Sequence, residues 1–310
     1  MKELDKIVSK HLGKAGDGTI VAPYITPDKA DPGLLVPVPR VLNRTEYQID
    51  EDDLPFVGYD AWNCYEVSFL LENGFPVSGV VKLVYPSDSE CIVESKSLKL
   101  YMNSYNMHKM GCTITNAIRS VEREITKDLT EALDTEVDVS FHYDEQNELP
   151  VAPITGHFVR LESLVDVEDI EFNDYEESPD TLDRAPMLGF MPFQVTSSAL
   201  RSNCRITNQP DWGDIYIHIS GEDCVTPESL MRYIVSMRKE NHFHEEICEC
   251  VFKRLKDMLA DDTEILVACL YTRRGGIDIN PIRATSYDLI DAYALGLVDS
   301  DEPHRKTARQ

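Results

Sequence analysis

The sequence predicts an α+β fold made of two hairpin-plus-helix modules in tandem. Three observations carry this: β-branched and aromatic runs flank the turn signal Asn73-Gly74, a helical apolar period follows them, and the strand-then-helix order returns in the second half of the chain.

In chain order, residues 65–70 and 77–85 are rich in Tyr, Val and Phe with Asn-Gly between them, the signature of a β-hairpin. Ile114, Ile118, Val121, Ile125, Leu129 and Leu133 recur every three or four residues, which predicts one long amphipathic helix. Val137, Val139, Phe141 and Tyr143 then alternate with polar residues, so a half-buried strand follows. In the second half, Ile215, Ile217 and Ile219 alternate as a strand, 226–238 and 244–260 carry helical patterns, and Glu264–Tyr271 reads as a closing strand. Between the halves, Asp166, Glu168, Asp169, Glu171, Asp174, Glu176, Glu177 and Asp180 repel one another, which predicts a solvated connector with no chemistry of its own. The expected divisions are an N-terminal extension at 1–35, a first module at 36–161, the acidic connector at 162–182 and a second module at 183–310. Each module is expected to be an antiparallel sheet with paired helices on one face, and its open sheet edges call for partner modules.

A chain of 310 residues, 42% hydrophobic, can bury its core without disulfides or a structural metal. Its 55 acidic against 30 basic residues give a net charge of -25, which argues against a nucleic-acid surface but leaves room for an anionic ligand wherever the few cations gather. No apolar run approaches the length of a membrane span, and the first residues lack a signal-peptide core, so the expected location is cytoplasmic. The eight cysteines form no CxxC pair and read mostly as buried thiols. Cys248 and Cys250 point in divergent directions on a helix, so no metal site is expected there.

Three clusters depart from core and surface patterning. In Ser202–Gly213, Cys204 lies between Asn203 and Arg205, a polar, electropositive setting that favours the nucleophilic thiolate, and Asp211 is a candidate proton donor. By position alone, a buried structural thiol is the commoner fate of a cysteine. In Asn241–Glu246, Glu245 is either an N-terminal helix charge or an acceptor for the paired N–H groups of a guanine-like edge, and His244 can exchange protons beside it. In Glu94–Tyr101 and Tyr271–Gly276, Lys96, Lys99, Arg273 and Arg274 with their glycines are either phosphate anchors or a salt-bridged sheet rim.

Together these strings resemble one family, the NADPH-dependent 7-cyano-7-deazaguanine reductases of queuosine biosynthesis in their long, two-module form. The matching strings are ESKSLKLYMNSYN at 94–106, SNCRITNQPDWG at 202–213, NHFHEE at 241–246 and YTRRGGIDINP at 271–281, with PVPRVLNR at 37–44 and LPFVGYDAWNCYE at 54–66 in support. The resemblance weakens before about residue 35 and after about residue 285. It implies tandem tunnelling-fold modules that assemble into a barrel, a homodimer, NADPH as cofactor and 7-cyano-7-deazaguanine as substrate. Carried across residue by residue, it implies that Cys204 forms a thioimide with the nitrile and that Asp211 donates the proton. His244 and Glu245 would bind substrate, with Val93, Glu94 and Ser95 touching it from the other module. Ser95, Lys96, Arg274 and Gly275 would contact NADPH, with no metal required. The competing readings are an amidinotransferase-like relative lacking the Glu94–Tyr101 string, a silent purine-binding module that would need neither Cys204 nor Asp211, and a zinc-dependent pterin hydrolase.

Overall fold

The structure, a computed structural model, describes residues 27–143, 153–187, 191–205, 209–302, 306–307 and 310. Most of the expected N-terminal extension, residues 1–26, lies outside the described residues, as do residues 206–208 of the cysteine string.

Fourteen strands are described: β1 (Pro37–Pro39), β2 (Val57–Leu70), β3 (Pro76–Pro86), β4 (Cys91–Val93), β5 (Asp138–His142), β6 (Val159–Arg160), β7 (Arg184–Pro186), β8 (Phe193–Ser197), β9 (Arg201–Cys204), β10 (Pro210–Ser220), β11 (Asp223–Val225), β12 (Asn241–His242), β13 (Glu264–Tyr271) and β14 (Ile277–Ala284). The helices are α1 (Val41–Arg44), α2 (Ser95–Asn103), α3 (Ile114–Leu133), α4 (Pro227–Ser236), α5 (His244–Met258), α6 (Tyr287–Tyr293) and α7 (Leu295–Val298), with short 3-10 turns between. The architecture is mixed α+β. The Asn73-Gly74 hairpin joins β2 and β3 as expected, and Gly74 takes the positive φ of 87° that the turn needs. Helix α3 buries Val121, Ile125, Leu129 and Leu133 of the predicted stripe together with Ala117, leaves Ile114 and Ile118 half-buried, and starts where the Thr113 hydroxyl accepts from Asn116 N.

The two halves share one sheet of ten strands. Its main path runs β12-β9-β10-β13-β14-β2-β3-β5, with β8 branching from β10 and β6 from β8. Strand β14 joins the halves by pairing antiparallel with β2 from Ile277↔Cys64 to Ala284↔Val57. Most pairings are antiparallel, whereas β12 runs parallel to β9 and β6 parallel to β8. Among the described residues the sheet stays open, ending at β12 and β5.

On one face, α2 and α3 cover a core that includes Trp62, Val81, Leu83, Leu98 and Ile125, while α4 and α5 cover a second core with Ile215, Ile217, Ile234, Val251 and Val267. The opposite face is not bare. Leu289, Ile290, Ala294 and Leu297 of the closing segment pack on Leu266, Ala268, Leu270, Ile282 and Ala284, so α6 and α7 form a third layer where the sequence reading expects helices on one face only. Their apolar residues occupy two short helices, too few turns to show a period.

The acidic connector is more closely attached than its charge suggests. Glu162 accepts from Ser197 Oγ at 2.7 Å, and Glu177 pairs with Arg254 and accepts from Tyr233 Oη. Cys248 and Cys250 are fully buried on α5. No helix among the described residues is long and apolar enough to cross a membrane.

Candidate active site

A cavity of about 300 Å³ opens where the two core regions meet. The ten residues to which the resemblance assigns roles all line it: Val93, Glu94, Ser95, Lys96, Cys204, Asp211, His244, Glu245, Arg274 and Gly275; Arg273 does not, and lies over the Tyr65 ring. They come from segments more than a hundred residues apart, and the sheet explains how they meet.

Pairing of β9 with β10 sets Ser202 opposite Asp211, and parallel pairing with β12 sets Cys204 beside His242. Cys204 N donates to Gln209 O at 2.8 Å, closing this corner. Helix α5 then starts at His244, with Phe243 before it donating its N–H to the Glu246 carboxylate at 3.1 Å. His242 is held between Glu240 and Glu246, each at 2.9 Å; burial lowers its basicity, but these carboxylates outweigh burial and raise it to about 9. From the other half, Glu94 caps α2 by accepting from Ser97 N at 2.7 Å, which turns Ser95 and Lys96 into the cavity. The Arg274–Ile277 turn has Gly275 and Gly276 at φ of 56° and 81°, as a tight hairpin of the primed kind requires. A side chain at Gly276 would collide with Glu66.

The Cys204 sulfur is half-buried, with Lys96 Nζ at 4.0 Å. Asp211 is buried and forms ion pairs with Arg274 and, at 3.4 Å, with His244 Nε2. Burial alone would raise its pKa, but His244 and Arg274 outweigh burial and hold it below the usual carboxylate range. The His244 ring stacks flat on Tyr271, 3.8 Å between centroids. Glu94 and Glu245 each keep one buried carboxylate oxygen without a hydrogen-bond partner, and so does the Nδ1 atom of His244. Glu245 is pushed up to about 8, by burial first and by neighbouring Asp60 next, with Arg40 and Arg283 pulling the other way.

Beneath Glu245 lies a buried ionic lattice that no short motif announces. Arg283 donates to Asp60 at 2.9 Å and to Glu249 at 2.8 Å, Arg40 to Asp60 at 2.5 Å, and Arg44 to Glu249 at 2.8 Å. Burial would raise Glu249, yet Arg283, Arg44 and Arg40 hold it down to about 2. Asn43 bridges this region to Glu246 and Arg205, tying the cysteine segment to the start of α5.

These features make the cavity chemically mixed. Lys96, Lys99 and Arg274 line it with the α2 N-terminus and a glycine turn, a cationic group in a chain of net charge -25. The lining also offers acceptor oxygens of Glu94 and Glu245 and the apolar side chains of Trp62, Ile277 and Ile279. Beside the cations stand a thiol and a carboxylate–imidazole pair, the parts needed for nucleophilic addition with proton transfer. Lys96 and Arg274, expected only as cofactor contacts, also touch Cys204 and Asp211.

Comparison with known proteins agrees with this geometry. Residues 26–141 match the model described as "Nitrile reductase, 7-cyano-7-deazaguanine-reductase N-term", and residues 210–288 match "QueF-like protein". The NADPH-dependent 7-cyano-7-deazaguanine reductase of Colwellia psychrerythraea is 38% identical over 256 residues, covering 81% of this chain and 86% of that protein. The chain belongs to the 7-cyano-7-deazaguanine reductase family.

Trp62, His242, Phe243, Ile277 and Ile279 also line the cavity of this reductase family member and were not singled out from the sequence. Phe243 stands inside the NHFHEE string, and Trp62 inside LPFVGYDAWNCYE, so proximity to a motif was the available signal. Lys99, paired with Glu66 at 3.6 Å, joins Lys96 as the sequence spacing suggested. Among the described residues, no group of three or more His, Cys, Asp or Glu is arranged to hold a metal ion.

Proposed function

We propose that this chain reduces 7-cyano-7-deazaguanine to 7-aminomethyl-7-deazaguanine with two molecules of NADPH per turnover, for the queuosine branch of transfer-RNA modification. The observation that carries the reading is the cavity itself: a cysteine, a carboxylate–imidazole pair and two unpartnered carboxylate oxygens converge on one space of a size suited to a bicyclic base.

In this reading, Glu245 accepts from the amino and ring N–H groups of the base, and Glu94 accepts from the N–H of its five-membered ring. Val93 and Ser95 pack beside the base, and His244 holds it from the opposite side. The Cys204 thiolate attacks the nitrile carbon, with Lys96 offsetting its charge beforehand. A sulfur–carbon bond forms, one π pair of the triple bond moves to nitrogen, and the Asp211–His244 pair delivers the proton, which gives a thioimide. The proton this pair delivers is the one it takes from the Cys204 thiol, because His244 and Arg274 hold Asp211 in the form that can accept it.

The donor set fits NADPH: Ser95 and Lys96 at the α2 N-terminus, Lys99, Arg274 and the backbone at Gly275 can hold phosphates. When bound, NADPH would supply hydride to the thioimide carbon; collapse of that adduct breaks the sulfur–carbon bond, returns the Cys204 thiolate and leaves an imine for a second hydride. Phe243, Trp62, Ile277 and Ile279 exclude water from the reduced imine while it awaits the second reduction.

We divide the chain into modules at 36–161 and 183–310 joined by 162–182, with Tyr47, Ile49 and Phe56 of the first packing in the core of the second and Ile277 and Ile279 of the second in the core of the first. We read each as a tunnelling-fold module and the functional unit as a homodimer in which a second copy completes a barrel at the open edges β12 and β5. A cytoplasmic location fits a chain with free cysteines that acts on a soluble base.

Intact-protein mass spectrometry with the nitrile and no NADPH tests the mechanism. The wild type should gain the mass of one substrate, and Cys204→Ala should gain none and consume no NADPH. A Cys204→Ala variant that still reduces the nitrile would overturn the assignment.

A further inference from the structure

One polar group of the cavity has no role in the reaction above. Trp62 on β2 lines the cavity, is 1% exposed, and its indole Nε1 is buried without a hydrogen-bond partner. A buried indole N–H ordinarily finds an acceptor. Its cross-strand neighbours, Ile279 on β14 and Leu83 on β3, have apolar side chains and offer none.

The remaining polar atoms narrow what that N–H is for. The free oxygens of Glu94 and Glu245 suit the N–H groups of a deazaguanine-type base, but a carboxylate repels the ring carbonyl of that base. The carbonyl needs a donor. Among the side-chain donors, Lys96 is directed at Cys204, Lys99 at Glu66, Arg274 at Asp211 and Gln209, and His244 at Asp211 through Nε2, with its Nδ1 left unpartnered on the same ring. The Trp62 indole N–H, in the lining of the same cavity, is a neutral donor left without an acceptor.

We propose that Trp62 Nε1–H donates to the ring carbonyl oxygen of the base and thereby selects guanine-type bases over those with hydrogen at that position. The inference rests on the substrate class proposed above and deepens it. Discrimination arises because a buried donor left unpaired penalises the wrong base, in addition to the bond gained with the right one.

The test uses two ligands, 7-cyano-7-deazaguanine and its 2-amino counterpart in which hydrogen replaces the carbonyl oxygen; because the latter also lacks the adjacent ring N–H, the affinity of each ligand is compared between proteins and not with that of the other ligand. Trp62→Phe keeps an apolar ring and removes the N–H. The expected result is a roughly tenfold to hundredfold weaker binding of the carbonyl ligand, with little change for the other. Equal weakening of both would mean that Trp62 only packs, and would overturn the proposal. A measurement on the unmutated protein guards against misfolding of the variant. Trp62 and Trp212 are the only two tryptophans, so a protein labelled with nitrogen-15 at tryptophan shows two indole N–H signals. The carbonyl ligand should shift the buried signal downfield and slow its hydrogen exchange, and the carbonyl-free ligand should not. Identical responses to the two ligands would also overturn the proposal. If neither ligand binds the wild type, the substrate reading itself fails, which is a different result from either of these.

Discussion

At the scale of single residues, the active-site carboxylates differ in how the fold treats them. Asp211 is held below the usual carboxylate range by its contacts with His244 and Arg274, whereas Glu245 sits in a buried, partly negative setting and is pushed up to about 8. The carboxylate form of Glu245 is the one that accepts two N–H donors, so base binding expels a proton from the empty site below that pH. Affinity for the cyano base should therefore rise roughly tenfold per pH unit up to about pH 8 and then level off. Titration calorimetry in two buffers of different ionisation heat should count about one proton released at pH 7 for the wild type and none for Glu245→Gln. A flat profile in the wild type would remove Glu245 from substrate binding. The linkage to folding has the opposite sense: a carboxyl whose folded value is raised binds its proton more tightly in the folded state. It adds stability below the ordinary value of 4.5, and that contribution disappears as pH climbs through about 8.

At the scale of elements, the start of α5 is positioned by the ionic lattice around Arg283, Asp60 and Glu249. All three side chains are buried, so removing Arg283 leaves Asp60 and Glu249 short of a cation without water, with only Arg40 and Arg44 to hold them. Arg283→Met should lower unfolding free energy by about 3–5 kcal/mol, read as a lower urea midpoint at unchanged slope. A loss below about 1 kcal/mol would show that the lattice is dispensable. The same lattice explains what the sequence withheld. Strand β14 contains Asp278, Asn280, Pro281 and Arg283, and proline in particular argues against a central strand. It is nonetheless central, because Asn63 and Tyr65 donate to Asp278 and Asp60 accepts from Arg283. Those partners lie more than two hundred residues away, beyond any local pattern. Helix α2 was legible as a motif but not as a helix, since Leu98, Tyr101 and Met102 give only one apolar turn in nine residues. By contrast, the twenty-residue α3 and the Asn73-Gly74 hairpin follow local rules and were read correctly. The site residues were legible because each stood in a polar string with no packing reason to exist, and Trp62 escaped because it resembles ordinary core.

At the scale of the whole molecule, a net charge of -25 opposes association between copies, while the open edges β12 and β5 favour it. Sedimentation at physiological salt should give a species of twice the chain mass, with dissociation increasing as salt is lowered and repulsion is less screened. A monomer at every salt concentration, with full activity, would rule out a site that depends on a second copy. The ladder between β2 and β14 has a separate consequence for how the chain can be divided. A polypeptide ending within the acidic linker would leave Trp62 and Cys64 facing solvent where Ile279 and Ile277 should lie, and its counterpart would carry β14 as an uncovered rim. Such pieces would be poor solitary folders and prone to sticking, yet produced together they hold everything required to reunite, as the two parts of a split reporter do.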